Sequence, residues 1–185
     1  GDWITVASSR YSYSVAVGYK TAYIGTAGGI LRYDFIKKQF DYPLTTSNGL
    51  LDNYVSLVAV EKQTDFLWAV TRNGLQVYNP VSRQFNTANY FQIGLSLDET
   101  IQSIGFDINK VWLQTNKGYL SSSNNLFGFV RDNLPDTATP TWFGQKGIPP
   151  GKLPHIFTNL ESGFRFDDYE KAFTDNEFRS FAVTY

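Results

Sequence analysis

The chain has 185 residues, of which 42% are hydrophobic and 17% aromatic, and 16 Lys and Arg against 17 Asp and Glu leave a formal net charge of −1. A balance this close to zero argues against the basic stripe with which proteins bind nucleic acids or anionic membranes. No stretch approaches the ~20 apolar residues of a membrane-spanning helix. The absence of Cys excludes disulfides, thiol catalysis and thiolate metal sites.

The first predicted element is a lone strand within residues 1–11, where Trp3–Val6 forms a short, mostly apolar run. It has no neighbouring segment of its own with which to form a complete sheet. The chain contains no Met and begins at Gly1. We therefore expect either that an N-terminal segment was removed or that the chain is an excerpt of a longer polypeptide.

Three copies of one unit follow, which we place at residues 12–45, 46–90 and 91–130. Thr26, Thr71 and Thr115 stand at the same position of each copy, 45 and 44 residues apart. Repeats of this length indicate one supersecondary unit used several times. The central aligned segments of the three copies are Tyr23–Ile30, Trp68–Leu75 and Trp112–Tyr119.

Each unit is predicted to contain four short strands. The first is an apolar run, the second has the pattern aromatic-x-x-Thr, and the third follows a glycine. The fourth surrounds an aromatic residue. The glycine before strand three can take a positive φ and close a tight hairpin. The glycines are Gly29, Gly74 and Gly118, and the strand-four aromatics are Phe40, Phe85 and Phe129.

A repeated four-stranded unit of ~40–50 residues predicts an all-β fold, a β-propeller of four-stranded blades. One blade cannot bury both of its faces, whereas stacked blades bury a continuous apolar layer. We therefore expect Tyr23, Trp68 and Trp112 to pack between blades. A β-solenoid is the alternative architecture, although its repeats are shorter and its turns differ.

Residues 131–180 interrupt the repeat and contain five of the seven prolines. We expect an irregular insertion, either an elaborated connection between blades or a lid or partner-docking flap. Residues 181–185 alternate like the start of a further blade. Residues 1–185 would then form one partial propeller domain with about three complete blades, and the strand in residues 1–11 would close the last blade of the ring.

The repeat resembles the two-component regulator propeller repeat. The pattern W-x-x-T-x-x-G-L, followed by an aromatic residue and Asp or Asn, is present at 68–79, and the pattern G-L-x-D-N-x-V is present at 49–55. The first copy matches at 24–34, whereas the third keeps Trp112, Thr115 and Gly118 but loses the Tyr-Asp pair. The resemblance covers roughly residues 12–130.

This resemblance implies a larger, seven-bladed propeller of the kind found in extracytoplasmic sensors of bacterial hybrid histidine kinases. Such repeats also occur in cell-surface and secretion-associated proteins without a kinase. The expected function is a non-enzymatic ligand-sensing or binding module of the bacterial cell envelope, periplasmic or extracellular. One alternative is a protein–protein docking scaffold, and a second is a propeller-type hydrolase or lyase.

Catalytic, metal and cofactor sites are not expected. His155 is the single histidine and has no recognisable partner nucleophile or acid nearby. The carboxylates at 167–168 and 175–177 do not match a calcium-binding loop. The glycines at 25–29 lack the Lys-Ser/Thr pair and the helix of a phosphate-binding loop.

The strongest predicted binding surface comes from topology. In a propeller, the connections from strand four to strand one and from strand two to strand three share one face. These connections are the most polar parts of the units, although Asn and Asp also suit tight turns. We expect the partner to be a protein or a small carbohydrate-like ligand. The candidate residues are Asp52, Asn53, Arg72, Asn73, Asp98, Glu99, Asn116 and Lys117.

Overall fold

A computed structural model describes residues 12–123, 126–136 and 138–147 of the chain. These residues form three antiparallel sheets that follow one another along the sequence. The lone strand expected in residues 1–11, His155 and the further blade expected at 181–185 lie outside the described residues. Within the described ranges, no helix is long and apolar enough to cross a membrane.

Each sheet contains strands that are consecutive in sequence and pair with their sequence neighbours. Sheet 1 consists of Ser12–Val17 (β1), Thr21–Thr26 (β2), Gly29–Asp34 (β3) and Gln39–Leu44 (β4). Sheet 2 consists of Val55–Glu61 (β5), Phe66–Thr71 (β6), Gly74–Asn79 (β7) and Gln84–Asn89 (β8). Sheet 3 consists of Ile101–Phe106 (β9), Val111–Thr115 (β10), Gly118–Ser122 (β11), Val130–Asp132 (β12) and Thr141–Gly144 (β13). Short 3₁₀ turns occur at Thr46–Asn48 and Gln145–Gly147.

The first strands of the sheets lie beside one another, as the innermost strands of neighbouring propeller blades do. Strand β5 contacts both β1 and β9. The Ser14 hydroxyl accepts a hydrogen bond from the Val58 backbone N–H at 2.6 Å, which joins β1 directly to β5. The fourth strands, β4, β8 and β12, lie toward the outside and are largely exposed.

Sheet 2 is buried on both faces because it lies between the other two. All but one residue of each of β5, β6 and β7 is buried. A central strand covered on both faces carries apolar residues at successive positions instead of alternating ones. The run Leu67–Val70 has this pattern, and all its residues belong to the core that sheets 1, 2 and 3 share.

Trp68 is the largest side chain in the layer between sheets 2 and 3. Its ring centroid is 5.9 Å from that of Phe106 and 6.4 Å from that of Phe129, both in edge-to-face geometry. Tyr23 belongs to the same core, and Trp112 is also buried. The inter-sheet packing predicted for Trp68 is therefore confirmed.

The described part of residues 131–180 contains more regular structure than the proline content suggests. Arg131 and Asp132 belong to β12, the fourth strand of sheet 3. Strand β13 pairs with the free edge of β9 and becomes a fifth strand there. Trp142 lies directly on Gly105, where a Cβ atom would come within 2.8 Å of the indole ring. The Trp142 indole can therefore lie over β9 at this point because Gly105, its partner in the β13–β9 pairing, has no side chain.

The predicted fold class, an all-β propeller architecture built from four-stranded antiparallel sheets, is confirmed. Sheet 3 differs because β13 extends it to five strands. The seven-bladed ring stays a prediction.

Candidate functional site

The connections from strand four to strand one and from strand two to strand three lie at the same end of the sheets. We define the loop-end surface as the β6–β7 and β10–β11 turns together with the β4–β5 and β8–β9 connections. Hydrogen bonds join them: the Asn73 Nδ2 donates to Asp52 Oδ2 at 2.8 Å, and the Asn116 Nδ2 donates to the Asp98 carbonyl at 3.1 Å. All eight candidate residues belong to this surface.

The repeated threonine builds the turn between strands two and three. The Thr71 hydroxyl donates to the Gly74 carbonyl at 2.9 Å and accepts from the Asn73 backbone N–H at 3.3 Å. Thr26 and Thr115 make the same pair of bonds in their own sheets. Only a hydroxyl can donate and accept at once in this small space, so the motif requires Ser or Thr at this position, and Thr stands there in all three copies.

The repeated glycine serves two different purposes. Gly29 and Gly118 have φ values of 122° and 125°, in the range that favours glycine, as the sequence predicts. Gly74 does not adopt a left-handed φ, and that part of the prediction is wrong. At Gly74 the constraint is space, because a Cβ atom would lie 2.5 Å from the Ala88 carbonyl oxygen.

On sheet 2 the loop-end surface carries a group of polar and aromatic side chains, the Arg72 cluster, made of Tyr13, Asp52, Tyr54, Arg72 and Asn73. The Arg72 guanidinium lies 5.0 Å from the centre of the Tyr54 ring. The Tyr13 and Tyr54 ring centroids are 5.1 Å apart. Arg72 and Asn73 are exposed. The cluster therefore offers aromatic surface, a guanidinium and an amide next to one another.

Asp52 connects the Arg72 cluster to the backbone. Its Oδ1 accepts from the Tyr54 backbone N–H at 2.8 Å, while Oδ2 holds the Asn73 amide. Burial, followed by the charge of Asp52, raises the pKa of Tyr90 to about 12. The Tyr90 phenol therefore stays protonated and donates to the Thr71 carbonyl.

Asn53 has a structural task in the connection before β5. Its Oδ1 accepts a hydrogen bond from the Thr46 backbone N–H at 2.9 Å. This bond pins the beginning of the 3₁₀ turn Thr46–Asn48. Asn53 therefore supports the loop-end surface from below, in the manner of Asn residues in turns.

The matching positions of sheet 3 form a second group, the Glu99 cluster, made of Asp98, Glu99, Asn116, Lys117 and Arg131. The Arg131 Nη1 donates to Glu99 Oε1 at 2.6 Å, and Nη2 donates to Oε2, so the pair is bidentate. Lys117 forms an ion pair with Asp98. Every charge of this cluster has a partner of opposite sign.

Glu99 is a buried structural carboxylate. The hydrogen bonds from Arg131, then those from Thr115 and Ser96, lower the pKa of Glu99 to about 2, against the opposing effect of burial. The Thr115 hydroxyl lies 2.6 Å from Oε1. The side chain has no exposed area. Glu99 is thus not accessible to a ligand, unlike the other candidates on this surface.

Asn116 completes the Glu99 cluster as a bridge between two connections. Its Oδ1 accepts from the Thr100 backbone N–H at 2.9 Å. On the same sheet, the hydrogen bond from Lys117 lowers the pKa of Asp98. Both ends of the Asn116 amide are occupied by neighbouring backbone, so the residue fixes the loop.

Three residues of these clusters escaped the sequence analysis: Tyr13, Tyr54 and Arg131. Tyr54 immediately follows Asp52 and Asn53 in the sequence, so it could have been predicted to lie beside the candidate residues. Tyr13 comes from sheet 1, so its position depends on sheet packing, whereas the position of Arg131 depends on the pairing of β12 with β11. Among the described residues no group of three or more His, Cys, Asp or Glu could hold a metal ion.

Comparison with known proteins yields structural neighbours. No family model and no curated protein matches the chain. A solved structure from B. thetaiotaomicron, described as the extracellular domain of the hybrid two component system BT3049, is 28% identical with a TM-score of 0.51. The match covers 66% of this chain and 18% of that chain, so the present chain spans less than a fifth of the neighbour.

Two further structures are more distant. Both come from BT4673 of the same organism, and they are described as extracellular domains of a hybrid and of a one component system. They are 16% and 14% identical with TM-scores of 0.42 and 0.36, and the matches cover 67% and 68% of this chain and 22% and 23% of theirs.

Proposed function

We propose that the chain is part of a non-enzymatic sensing module of a bacterial cell-envelope protein, located outside the cytoplasm. The observation that supports this most is the similarity to the extracellular domain of a hybrid two component system, at 28% identity. Ligand binding at the propeller would then be passed to a downstream domain. The non-enzymatic part rests on composition, since the chain has one His and no Cys.

The Arg72 cluster is the proposed binding surface for a small carbohydrate-like ligand. Sugars present apolar C–H faces, which lie on aromatic rings, and hydroxyl groups, which need both donors and acceptors. Tyr13 and Tyr54 provide the aromatic rings, and Arg72 and Asn73 provide the hydrogen-bonding groups. The Arg72 guanidinium has no carboxylate partner among the described residues, so its outer N–H groups are available.

The Glu99 cluster is proposed as the rigid neighbour of this surface. Its bidentate ion pair and the Asn116 bridge leave few unsatisfied groups. A ligand that displaced them would have to replace charge-assisted hydrogen bonds. Asp98 and Lys117, which are more exposed, would contact only the edge of a ligand.

A glycan array of neutral oligosaccharides, followed by calorimetry on the strongest binder, tests the proposal. Arg72→Ala should weaken binding about tenfold, the loss expected when a charged hydrogen-bonding group is removed. Lys20→Gln, an exposed cation in the β1–β2 turn, is the matched control and should leave the Kd unchanged. Absence of any glycan binder, or equal affinity of Arg72→Ala and the unaltered chain, would contradict the proposal.

A further inference from the structure

A second surface lies between the outer strands of sheets 1 and 2 and shares no residue with the Arg72 cluster. It is a groove of about 480 Å³. Small-molecule sites in proteins have volumes of ~300–1,000 Å³, so the groove can hold a molecule larger than a bare ion. The lining residues used below are Arg32, Lys37, Asp41, Tyr42 and Arg83.

Positive charge outweighs negative charge in the lining, with three cations against one carboxylate. Lys37 is already neutralised, because its Nζ lies 3.2 Å from Asp41 Oδ1 and 3.5 Å from Asp34 Oδ2. These contacts leave two guanidinium groups, those of Arg32 and Arg83. Neither has a carboxylate partner among the described residues.

Arg32 is held in place by uncharged acceptors. Its Nε and Nη2 both donate to the Tyr42 carbonyl, at 2.8 and 2.5 Å. A guanidinium has five N–H donors in one plane. The two bonds orient that plane while leaving further donors and the full positive charge uncompensated. The Arg32 guanidinium is therefore oriented to bind an oxyanion, and guanidinium groups bind oxyanions in a bidentate manner.

Arg83 reaches the groove from the β7–β8 turn. Its backbone has a φ of 58°, and its N–H donates to the Asn79 carbonyl at 2.8 Å. The Asn79 side chain accepts from the backbone N–H groups of Val81 and Ser82, which fixes the turn. The backbone of Arg83 is therefore anchored while its side chain is exposed.

Tyr42 supplies a surface for the remainder of a ligand. It is 70% exposed and lines the groove, and its backbone carbonyl holds the Arg32 guanidinium. An exposed aromatic residue in the lining of a groove that also contains cations favours a ligand with both an anionic group and a flat or ring-shaped body. A bare inorganic ion would leave the ring and most of the groove volume unused.

We propose that this groove binds a small organic anion. Its carboxylate or sulfate group accepts hydrogen bonds from Arg32 and Arg83, and its body lies on Tyr42. The site is independent of the sugar-binding surface proposed above, and either can fail without the other.

Titration of the ¹⁵N-labelled 185-residue chain, followed by NMR, tests the site with three compounds. Glucuronate carries a carboxylate on a sugar ring, glucose is the same ring without the charge, and sulfate is the charge without the ring. We expect saturable shifts of the Tyr42 and Arg83 amides with glucuronate, no shift with glucose, and weaker binding of sulfate. No saturable shift with glucuronate, or an equal response to glucose, overturns the proposal.

Three variants locate the anion. Arg83→Gln should raise the glucuronate Kd about tenfold, because one charge-assisted interaction is lost. Lys20→Gln removes the same charge elsewhere and should leave the Kd unchanged, whereas Arg72→Gln tests whether the anion binds at the loop-end surface. Equal weakening by Lys20→Gln would show mere charge attraction, and weakening by Arg72→Gln alone would place the anion on the other surface. If sulfate bound as tightly as glucuronate, the organic body of the ligand would contribute nothing to binding, which would overturn the proposed contact with Tyr42.

Discussion

The Arg72 and Glu99 clusters occupy the same position of neighbouring repeats but have opposite character. In sheet 3, Glu99 is buried beneath Arg131, and Lys117 is paired with Asp98. In sheet 2, Arg72 lies over an aromatic ring and has no carboxylate partner among the described residues. The same repeat position therefore holds a neutralised ion pair in one sheet and an exposed guanidinium in the next.

The difference has a physical origin in the fourth strand. Strand β12 brings Arg131 opposite Leu120, from where its guanidinium reaches Glu99. A buried carboxylate needs such a partner, because an unpaired buried charge is costly. Sheet 2 has no carboxylate at the position after Asp52, where Asn53 stands, and requires no such cation.

The largest effect is expected from breaking the ion pair of the Glu99 cluster. Arg131→Gln would leave the Glu99 carboxylate buried without its cation, and the free energy of unfolding should fall by about 3 kcal/mol at pH 7. Urea denaturation of the 185-residue chain measures this change. Arg72→Gln is the matched variant in the other cluster and should change stability by less than about 0.5 kcal/mol. Equal losses of unfolding free energy in the two variants would contradict the difference between the clusters.

A smaller effect is expected from acid. The pKa of Glu99 is about 2 in the folded chain, compared with 4.5 for an unperturbed glutamate. A lowered folded-state pKa stabilises the fold above pH 4.5, and this contribution is lost as the pH falls toward 2. The difference between the two pKa values corresponds to about 3 kcal/mol, and solvent screening at the half-exposed Arg131 partner reduces the expected contribution to about 2 kcal/mol.

The control for the acid effect is Glu99→Gln, which cannot titrate. Between pH 5 and pH 2 the unaltered chain should lose about 2 kcal/mol more stability than Glu99→Gln does. Parallel stability curves for the two proteins would show that Glu99 is not the responsible group.

The smallest effect concerns the hairpin threonines. Thr71→Val keeps the shape but leaves the Gly74 carbonyl without its hydroxyl donor, so stability should fall by about 1 kcal/mol. Thr115→Val should cost more, because the single Thr115 proton is shared between the Gly118 carbonyl and the buried Glu99 carboxylate, and the carboxylate would lose a donor. Thermal and urea unfolding of both variants give the comparison, and a larger loss for Thr71→Val would contradict it.

Local chemistry explains why much of the fold could be predicted. The Thr-x-x-Gly motif closes its turn with bonds spanning two and three residues, so the sequence reveals the hairpin directly. The burial of Trp68 could likewise be predicted, because Trp68 lies in the apolar run Leu67–Val70. The candidate residues lie at one end of the sheets, because propeller topology brings those connections together, and their role in binding stays a prediction.

The amino-acid sequence by itself determined the repeat, the strand order and the polar loop end, since all of these depend on contacts within one unit. Tertiary structure alone decided which polar residues are neutralised. Glu99 and Arg131 are 32 residues apart, and Ser14 reaches Val58 across 44 residues. The pairing of β13 with β9 likewise depends on the missing side chain of Gly105, which leaves room for the Trp142 ring. Contacts of this range form only when distant strands pair or sheets pack, because no local periodicity encodes which distant side chain meets a given charge.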